Sequence, residues 1–226
     1  MKRRVMNHRT LLSSCLILFA LWLCYGCGNE DEYHYPSVKL EFLTATTNSK
    51  GTINQITTDG GKAYNVQADG SNLKLPADTL LRIVTNYEEV EGGVRLYGAA
   101  VPVSNYPIPL AEFKEEMVKH PVSIQSIWMG LDYLNMILQV KAQNKKHTFR
   151  FIEESATIDE ETNELNLLIG LYHNNNGDLE AYTQRAYASV PLKQYAEKGY
   201  SKINIRFTLN TNEGETSNYD FEYIPL

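Results

Sequence analysis

The 226-residue chain has 21 Lys+Arg against 27 Asp+Glu, 43% apolar residues and 3 Cys. The first 26 residues hold Lys2, Arg3, Arg4 and Arg9 and no acid, so residues 27–226 keep 17 bases against 27 acids and a formal charge of −10, which argues against a phosphate-binding surface built on clustered Lys and Arg. Cys15, Cys24 and Cys27 are the cysteines, which leaves the body of the protein none for a disulfide or a thiolate metal site.

The N-terminus reads as a basic region over 1–10, an apolar stretch over 11–23 that contains two serines, and then Cys24-Tyr25-Gly26-Cys27. Such a run is too short for a bilayer span of about 20 residues and matches the ~7–15-residue core of an export signal. Cys15 follows a good lipobox spelling, Leu12-Ser13-Ser14, but has almost no apolar core in front of it. Cys27 has the whole core before it and the small Gly26 at −1, with Cys24 departing from the usual aliphatic residue at −3. Cys27 is therefore the predicted acylated N-terminus after removal of residues 1–26. The predicted address is that of an outer-membrane lipoprotein, held to the membrane by its N-terminal lipid. Cys24 and Cys27 also spell C-x-x-C, but they straddle the cleavage site with no strand-to-helix turn around them, so a redox pair is not expected. An acidic tether follows over 27–34, with Glu30, Asp31 and Glu32. It reads either as a solvated linker or as similar to the acidic signal that sends certain lipoproteins to the cell surface.

From Tyr35 onward apolar residues recur in short, often alternating runs broken by Gly, Asn and Asp. Strands are predicted over 37–47, 52–58, 62–68, 79–90 and 94–103. Asp59-Gly60-Gly61 and Gly92-Gly93 offer the positive-φ positions of tight hairpins. Five short strands in about 70 residues suit a small OB-like barrel over 35–104 better than a sandwich.

Tyr106-Pro107-Ile108-Pro109 cannot continue a central strand, because each Pro removes a ladder donor. Over 110–119 the spacing puts Leu110, Phe113, Met117 and Val118 on one face and predicts the one amphipathic helix, ended by His120-Pro121. Residues 105–121 thus read as a junction. Strands resume over 122–129, 133–142, 147–154, 164–172, 184–192, 201–211 and 217–225, and seven of them predict an antiparallel β-sandwich over 122–226. Trp128, in an apolar strand, reads as core. The fold class expected is mainly β, a barrel followed by a sandwich with a short helix between them.

Several strings then become recognisable together. Tyr35-Pro36-Ser37-Val38 and Thr58-Asp59-Gly60-Gly61 open the first part. Pro121-Val122-Ser123-Ile124, Ile127-Trp128, Asp132-Tyr133-Leu134-Asn135, Lys145-Lys146-His147-Thr148-Phe149, His173-Asn174-Asn175-Asn176-Gly177-Asp178 and Arg185-Ala186-Tyr187 follow in the second. In order and spacing the set resembles the NigD-like lipoproteins, and the likeness is strongest over 121–192. The resemblance implies an OB-like barrel, a C-terminal sandwich and a cell-envelope setting, with an immunity role suggested by the bacteriocin cluster that gives the family its name. It supplies no catalytic motif. The residue before the His-Asn loop is more often basic in the family, whereas Tyr172 stands here.

An OB-like barrel invites single-strand binding on Tyr64, Tyr87 and Tyr97, but the acidic body and the envelope address argue against nucleic acid. His34, His120, His147 and His173 form no His-x-x-x-His pair, and Glu116-x-x-x-His120 lacks the second His of a zincin, so each reads as a polar loop or edge residue and neither metal nor cofactor is implied. The loop Asn174-Asn175-Asn176-Gly177-Asp178 has the oxygen density of a calcium loop without its leading Asp or bidentate Glu, and a hairpin loop explains it equally well. Adjacent acids such as Glu153/Glu154 and Asp159/Glu160/Glu161 point to water, no G-x-S-x-G occurs, and an enzyme is not expected. Amphipathic aromatics remain. Tyr172, His173, Asp178, Tyr182, Arg185 and Tyr187, grouped around the His-Asn loop, are the candidate binding residues for a protein or glycan partner. The function expected is non-catalytic binding at the cell envelope, with bacteriocin immunity first and a carbohydrate-binding accessory role as the alternative.

Overall fold

The computed structural model describes residues 36–225. The predicted signal peptide, Cys27 and the acidic tether lie outside them. From Val38 onward the chain forms one compact unit.

Strands β1 (Lys39–Thr47), β2 (Ile53–Thr58), β3 (Ala63–Asp69), β4 (Leu80–Val90) and β5 (Gly93–Ala100) close a barrel in the order β1-β2-β3-β5-β4. Two-residue alternation sorts their side chains. Leu43, Ala45, Ile83 and Tyr87 pack inside with Ile56 and Leu96, while Phe42 and Arg82 turn outward. Closure comes from β1 and β4, antiparallel from Lys39↔Tyr87 to Thr46↔Leu80, and from β3 and β5, parallel at Val66↔Val94. At the β1–β2 turn Gly51 has φ +72, and a Cβ there would sit 2.2 Å from the Leu75 carbonyl oxygen, so both backbone angle and space require glycine.

Strands β6 (Ile108–Pro109), β7 (Ser123–Gly130), β8 (Tyr133–Ala142), β9 (Thr148–Asp159), β10 (Glu164–Asn174), β11 (Tyr182–Pro191), β12 (Lys202–Asn210) and β13 (Thr216–Tyr223) make two sheets, β13-β12-β10-β9-β6 and β11-β8-β7. Leu134, Met136 and Leu138 of one sheet meet Phe151, Leu167 and Phe207 of the other in a single core. Two pairings depart from the antiparallel expectation, the short one of β6 with β9 at Ile108↔Ile152 and a longer one. Strands β10 and β12 run parallel from Glu164↔Lys202 to Gly170↔Thr208, because β11 crosses to the other sheet between them.

The predicted helix over 110–119 is not formed. One turn closes, with the Phe113 N–H donating to the Pro109 carbonyl at 3.2 Å, and the chain then runs on to bridge Lys119 with His173. About 12–15 residues are needed before a helix holds its own in water. Here the backbone finds partners in the sheet instead: the Leu110 N–H donates to the Glu153 carbonyl and the His120 N–H to the His173 carbonyl, both at 2.9 Å. The apolar residues that suggested a helix face cover the sheet, Phe113 meeting the Tyr172 ring edge-on at 5.2 Å. The short helix lies elsewhere: α1 (Lys193–Ala196) follows β11 and buries Tyr195. Lys114 is exposed in this non-helical stretch. Lys114→Gly, which costs about 1 kcal/mol inside an exposed helix, should therefore leave the urea midpoint almost unchanged.

Candidate functional site at the barrel–sandwich seam

The outer face of the three-stranded sheet is covered by the barrel. Trp128, read from sequence as core, lies here: its ring meets Phe42 edge-on at 5.3 Å, and Tyr187 meets the Phe42 ring at 5.9 Å. Ile127 and Met129 on either side point into the sandwich core, so alternation sends Trp128 to the other face.

At the centre of this seam stands Arg82, on β4. Its Nη1 and Nη2 donate to Asp59 Oδ1 and Oδ2, both at 2.6 Å, the fork-to-fork geometry of the strongest ion pairs. Nη2 also donates to Asn135 Oδ1 at 2.9 Å and Nε to Ser189 Oγ at 3.2 Å. The two sandwich residues are tied to each other, Ser189 Oγ donating to Asn135 Oδ1 at 2.7 Å, and Asn135 Nδ2 returns to Asp59 Oδ2 at 2.9 Å. The guanidinium plane lies over the Tyr133 ring, 4.1 Å from its centroid. Gly130 makes room for the assembly, since a Cβ there would fall 2.1 Å from Asp59 Oδ2 and 2.5 Å from Asn135 Nδ2.

A second network closes the nearby end of the sandwich. His173 is 2% exposed and stacks on Phe149, ring centroids 4.5 Å apart and planes 2° from parallel. Its Nδ1 lies 3.0 Å from the His120 carbonyl oxygen, which only accepts, so Nδ1 carries the proton and Nε2 is the acceptor. His147 Nδ1, 2.9 Å from that Nε2, is then the donor. Burial holds the His173 imidazole down at about 4 against an ordinary 6.5, despite the His120 carbonyl. Beyond it, His147 Nε2 stands 3.4 Å from Asp178 Oδ2. Burial pushes the Asp178 carboxyl up, but backbone N–H groups outweigh it and hold the carboxyl at about 2. Those of Gln143 and Asn144 donate at 2.7 and 3.2 Å, joined by Lys145 and Leu179. The adjoining loop carbonyls of Asn176 and Gly177 accept from Lys145 Nζ at 3.2 and 2.9 Å. A lysine ammonium thus occupies two of the loop's carbonyl oxygens.

Between the two networks lies a cleft of about 780 Å³. Leu80 and Arg82 of the barrel line one side, the linker through Val101 and Tyr106 a second, and Lys146 to Arg150 at the start of β9 a third.

The structure divides the candidate binding residues. Tyr172 is 3% exposed beneath Phe113, its hydroxyl 3.3 Å from Glu115 Oε2. His173 and Asp178 are buried in the network that backs the cleft. Tyr187 belongs to the seam. Tyr182 is exposed, and Arg185 reaches Gln125 Oε1 at 2.9 Å on the sheet surface. A continuous aromatic patch is not formed, because Tyr172 and β11 sit in different sheets. Arg82, Asp59 and Lys146 were not among the candidates, although an arginine inside the apolar strand Leu80-Leu81-Arg82-Ile83-Val84 was a legible sign of a buried charge needing a partner.

Residues 106–223 match the NigD-like C-terminal beta sandwich domain. The structure is similar to that of a NigD-like immunity protein from Bacteroides caccae, at 35% identity over 86% of this chain and 100% of that one, with a TM-score of 0.69. The chain belongs to the NigD-like family. A protein of unknown function from Bacteroides vulgatus shares the fold at 22% identity, covering 84% of this chain and 92% of that one, with a TM-score of 0.64. So does a Bacteroides fragilis protein whose designation as a lipoprotein is itself an inference, at 12% identity over 84% and 99% with a TM-score of 0.57. No match is found among curated proteins.

The strings that carry the NigD-like resemblance now have places. Asp59, Trp128, Tyr133, Asn135 and Tyr187 meet at the seam. The Lys145–Phe149 and His173–Asp178 strings build the cleft wall and its backing.

Two measurements check this geometry. Arg82→Ala leaves Asp59 facing Asn135 without its counter-charge. Breaking a fully buried pair costs about 3–5 kcal/mol, and because the Asp59 side chain keeps 21% exposure to water, urea denaturation should show a loss at the low end of that range, about 3 kcal/mol. His173 gives a pH dependence. Between its unfolded value of 6.5 and its folded value of about 4, the unfolded chain binds the proton and the folded chain does not, so stability falls as pH drops through that window. Unfolding at pH 7 and pH 5 should differ by about 2 kcal/mol from this group, and His173→Gln should lose that part of the slope.

Proposed function

We propose that this NigD-like protein is a lipid-anchored envelope protein that binds another protein without catalysis and confers immunity to a bacteriocin. The observation that carries the reading is the 35% identity to a NigD-like immunity protein along the whole of that chain. The barrel over 35–104 and the sandwich over 122–226, joined through 105–121, act as one binding body, because the Arg82 network ties their facing surfaces. The anchor is Cys27 in the outer membrane, supported by the basic and apolar segments and Gly26 before it, and the acids after it suit display at the cell surface. The carbohydrate alternative keeps Tyr182 as its exposed ring, since Tyr172 is buried and Tyr187 seats on Phe42. A protein partner is therefore preferred.

Deleting the gene should sensitise the producing strain to the toxin encoded beside it, with wild type restoring protection. Cys27→Ala should take up no radioactive fatty acid and restore none. Unchanged sensitivity on deletion would remove the immunity role, and label retained by Cys27→Ala would remove the anchor.

A further inference from the structure

The cleft carries a charge pattern unlike the body around it. Its charged side chains, Arg82, Lys146 and Arg150, are all cationic, in a body whose formal charge is −10. Arg82 is already matched by Asp59, and Arg150 Nη2 reaches Glu115 Oε1 at 3.1 Å. Lys146 is exposed. Among the described residues Arg150 Nε is a buried side-chain nitrogen without a hydrogen-bond partner, and His147 Nε2, the other, faces Asp178 Oδ2 at 3.4 Å on the far side of the wall. Both residues line this cleft.

The same wall is an open strand edge. On the side away from β10, β9 pairs with β6 at Ile152 and Glu153, and among the described residues no strand lies beside it from Thr148 to Phe151. An unpaired edge is a template for an added strand. Thr148 and Arg150 share one face of β9, and Lys146 falls in the same alternation just before the strand. Across the cleft stand apolar side chains that water covers at present: Leu80 is 70% exposed, Val101 55% and Tyr106 54%.

We propose that the cleft takes an acidic, extended peptide segment of a partner protein, added as a strand along the β9 edge with carboxylates toward Lys146 and Arg150 and apolar side chains against Leu80, Val101 and Tyr106. This rests on the reading of the protein as a binder of another protein, and it names the chemistry and the place. Charge complementarity selects acids, the strand edge selects an extended main chain, and the apolar wall selects alternating hydrophobic residues. An acidic glycan fits less well, because stacking on sugars needs free ring faces. The Tyr133 ring is covered by Arg82 and the Phe149 ring stacks on His173, which leaves Tyr106.

The test uses the full-length protein in detergent and a fluorescein-labelled peptide, acetyl-(Glu-Val)₃-Glu-amide, with a (Lys-Val)₃-Lys counterpart and an oligogalacturonate as the other probes. Anisotropy should show saturable binding of the acidic peptide, weakened as salt is raised, with the basic peptide at least tenfold weaker. Hydrogen exchange should slow at residues 148–151 when the peptide is bound. Lys146→Glu and Leu80→Glu, both at exposed positions, should each weaken binding by about tenfold or more while leaving the unfolding midpoint in place. Equal binding of both peptides, unchanged affinity in both variants, protection elsewhere, or binding by the oligogalacturonate alone would each overturn the proposal. The toxin-sensitivity assay separates the two levels. If Lys146→Glu abolishes peptide binding while protection persists, the cleft is not the immunity site and immunity stands. If the peptide binds as described while deletion leaves sensitivity unchanged, immunity falls and the cleft stands.

Discussion

The structure depends on how Arg82 is housed. A guanidinium at 5% exposure is tolerable only when each of its nitrogens finds an acceptor, and here a carboxylate, an amide and a hydroxyl take four N–H bonds from two different folding elements. Asp59 supplies the charge from within the barrel. Asn135 and Ser189 supply the remaining acceptors from the sandwich. Removing two charges from water seldom adds stability over well-packed apolar residues. What such a network adds is a single permitted arrangement, since moving the three-stranded sheet away would leave Arg82 Nε and Nη2 without their sandwich acceptors. Gly130 shows how closely this is fitted, because even a methyl group there would strike both Asp59 and Asn135.

That constraint also explains how a cleft can persist between two parts of one chain. The barrel is held to the sheet through Phe42, Trp128, Tyr187 and the Arg82 group, so Leu80, two residues from Arg82, and the linker through Val101 face the start of β9 at a set separation. The opposite wall is held from behind by a chain running from the His120 carbonyl through His173 and His147 to Asp178. His173 and Asp178, picked from sequence as binding residues, serve the wall from its buried side.

Most of the strands were legible because alternating apolar residues and Gly or Asn turns are local signals. Gly61 and Gly92 do take the positive φ that their turns predicted. The failures share one cause, which is that the deciding partner lies far along the chain. Residues 110–119 carry a helical pattern, yet Glu153 and His173 capture their backbone. Trp128 and Tyr187 look like core or surface according to which face of a sheet another element covers, and no local pattern reports the arrival of Phe42. Tyr172, Tyr182 and Tyr187 are close in sequence and part in space because the chain changes sheet between β10 and β11.

The parallel pairing of β10 with β12 has a consequence for how this molecule is made. The barrel draws on residues 39–100 alone, and it closes when β4 returns to β1 and β5 joins β3. The larger sheet is completed later, because β10 stays open on one side until residues 202–210 arrive, after β11 has been laid into the other sheet. A chain delivered N-terminus first thus closes its barrel early, while Leu165, Leu167 and Ile169 wait for the last two strands. The interval between those events is when the protein is most exposed to aggregation, and a late truncation would prolong it indefinitely.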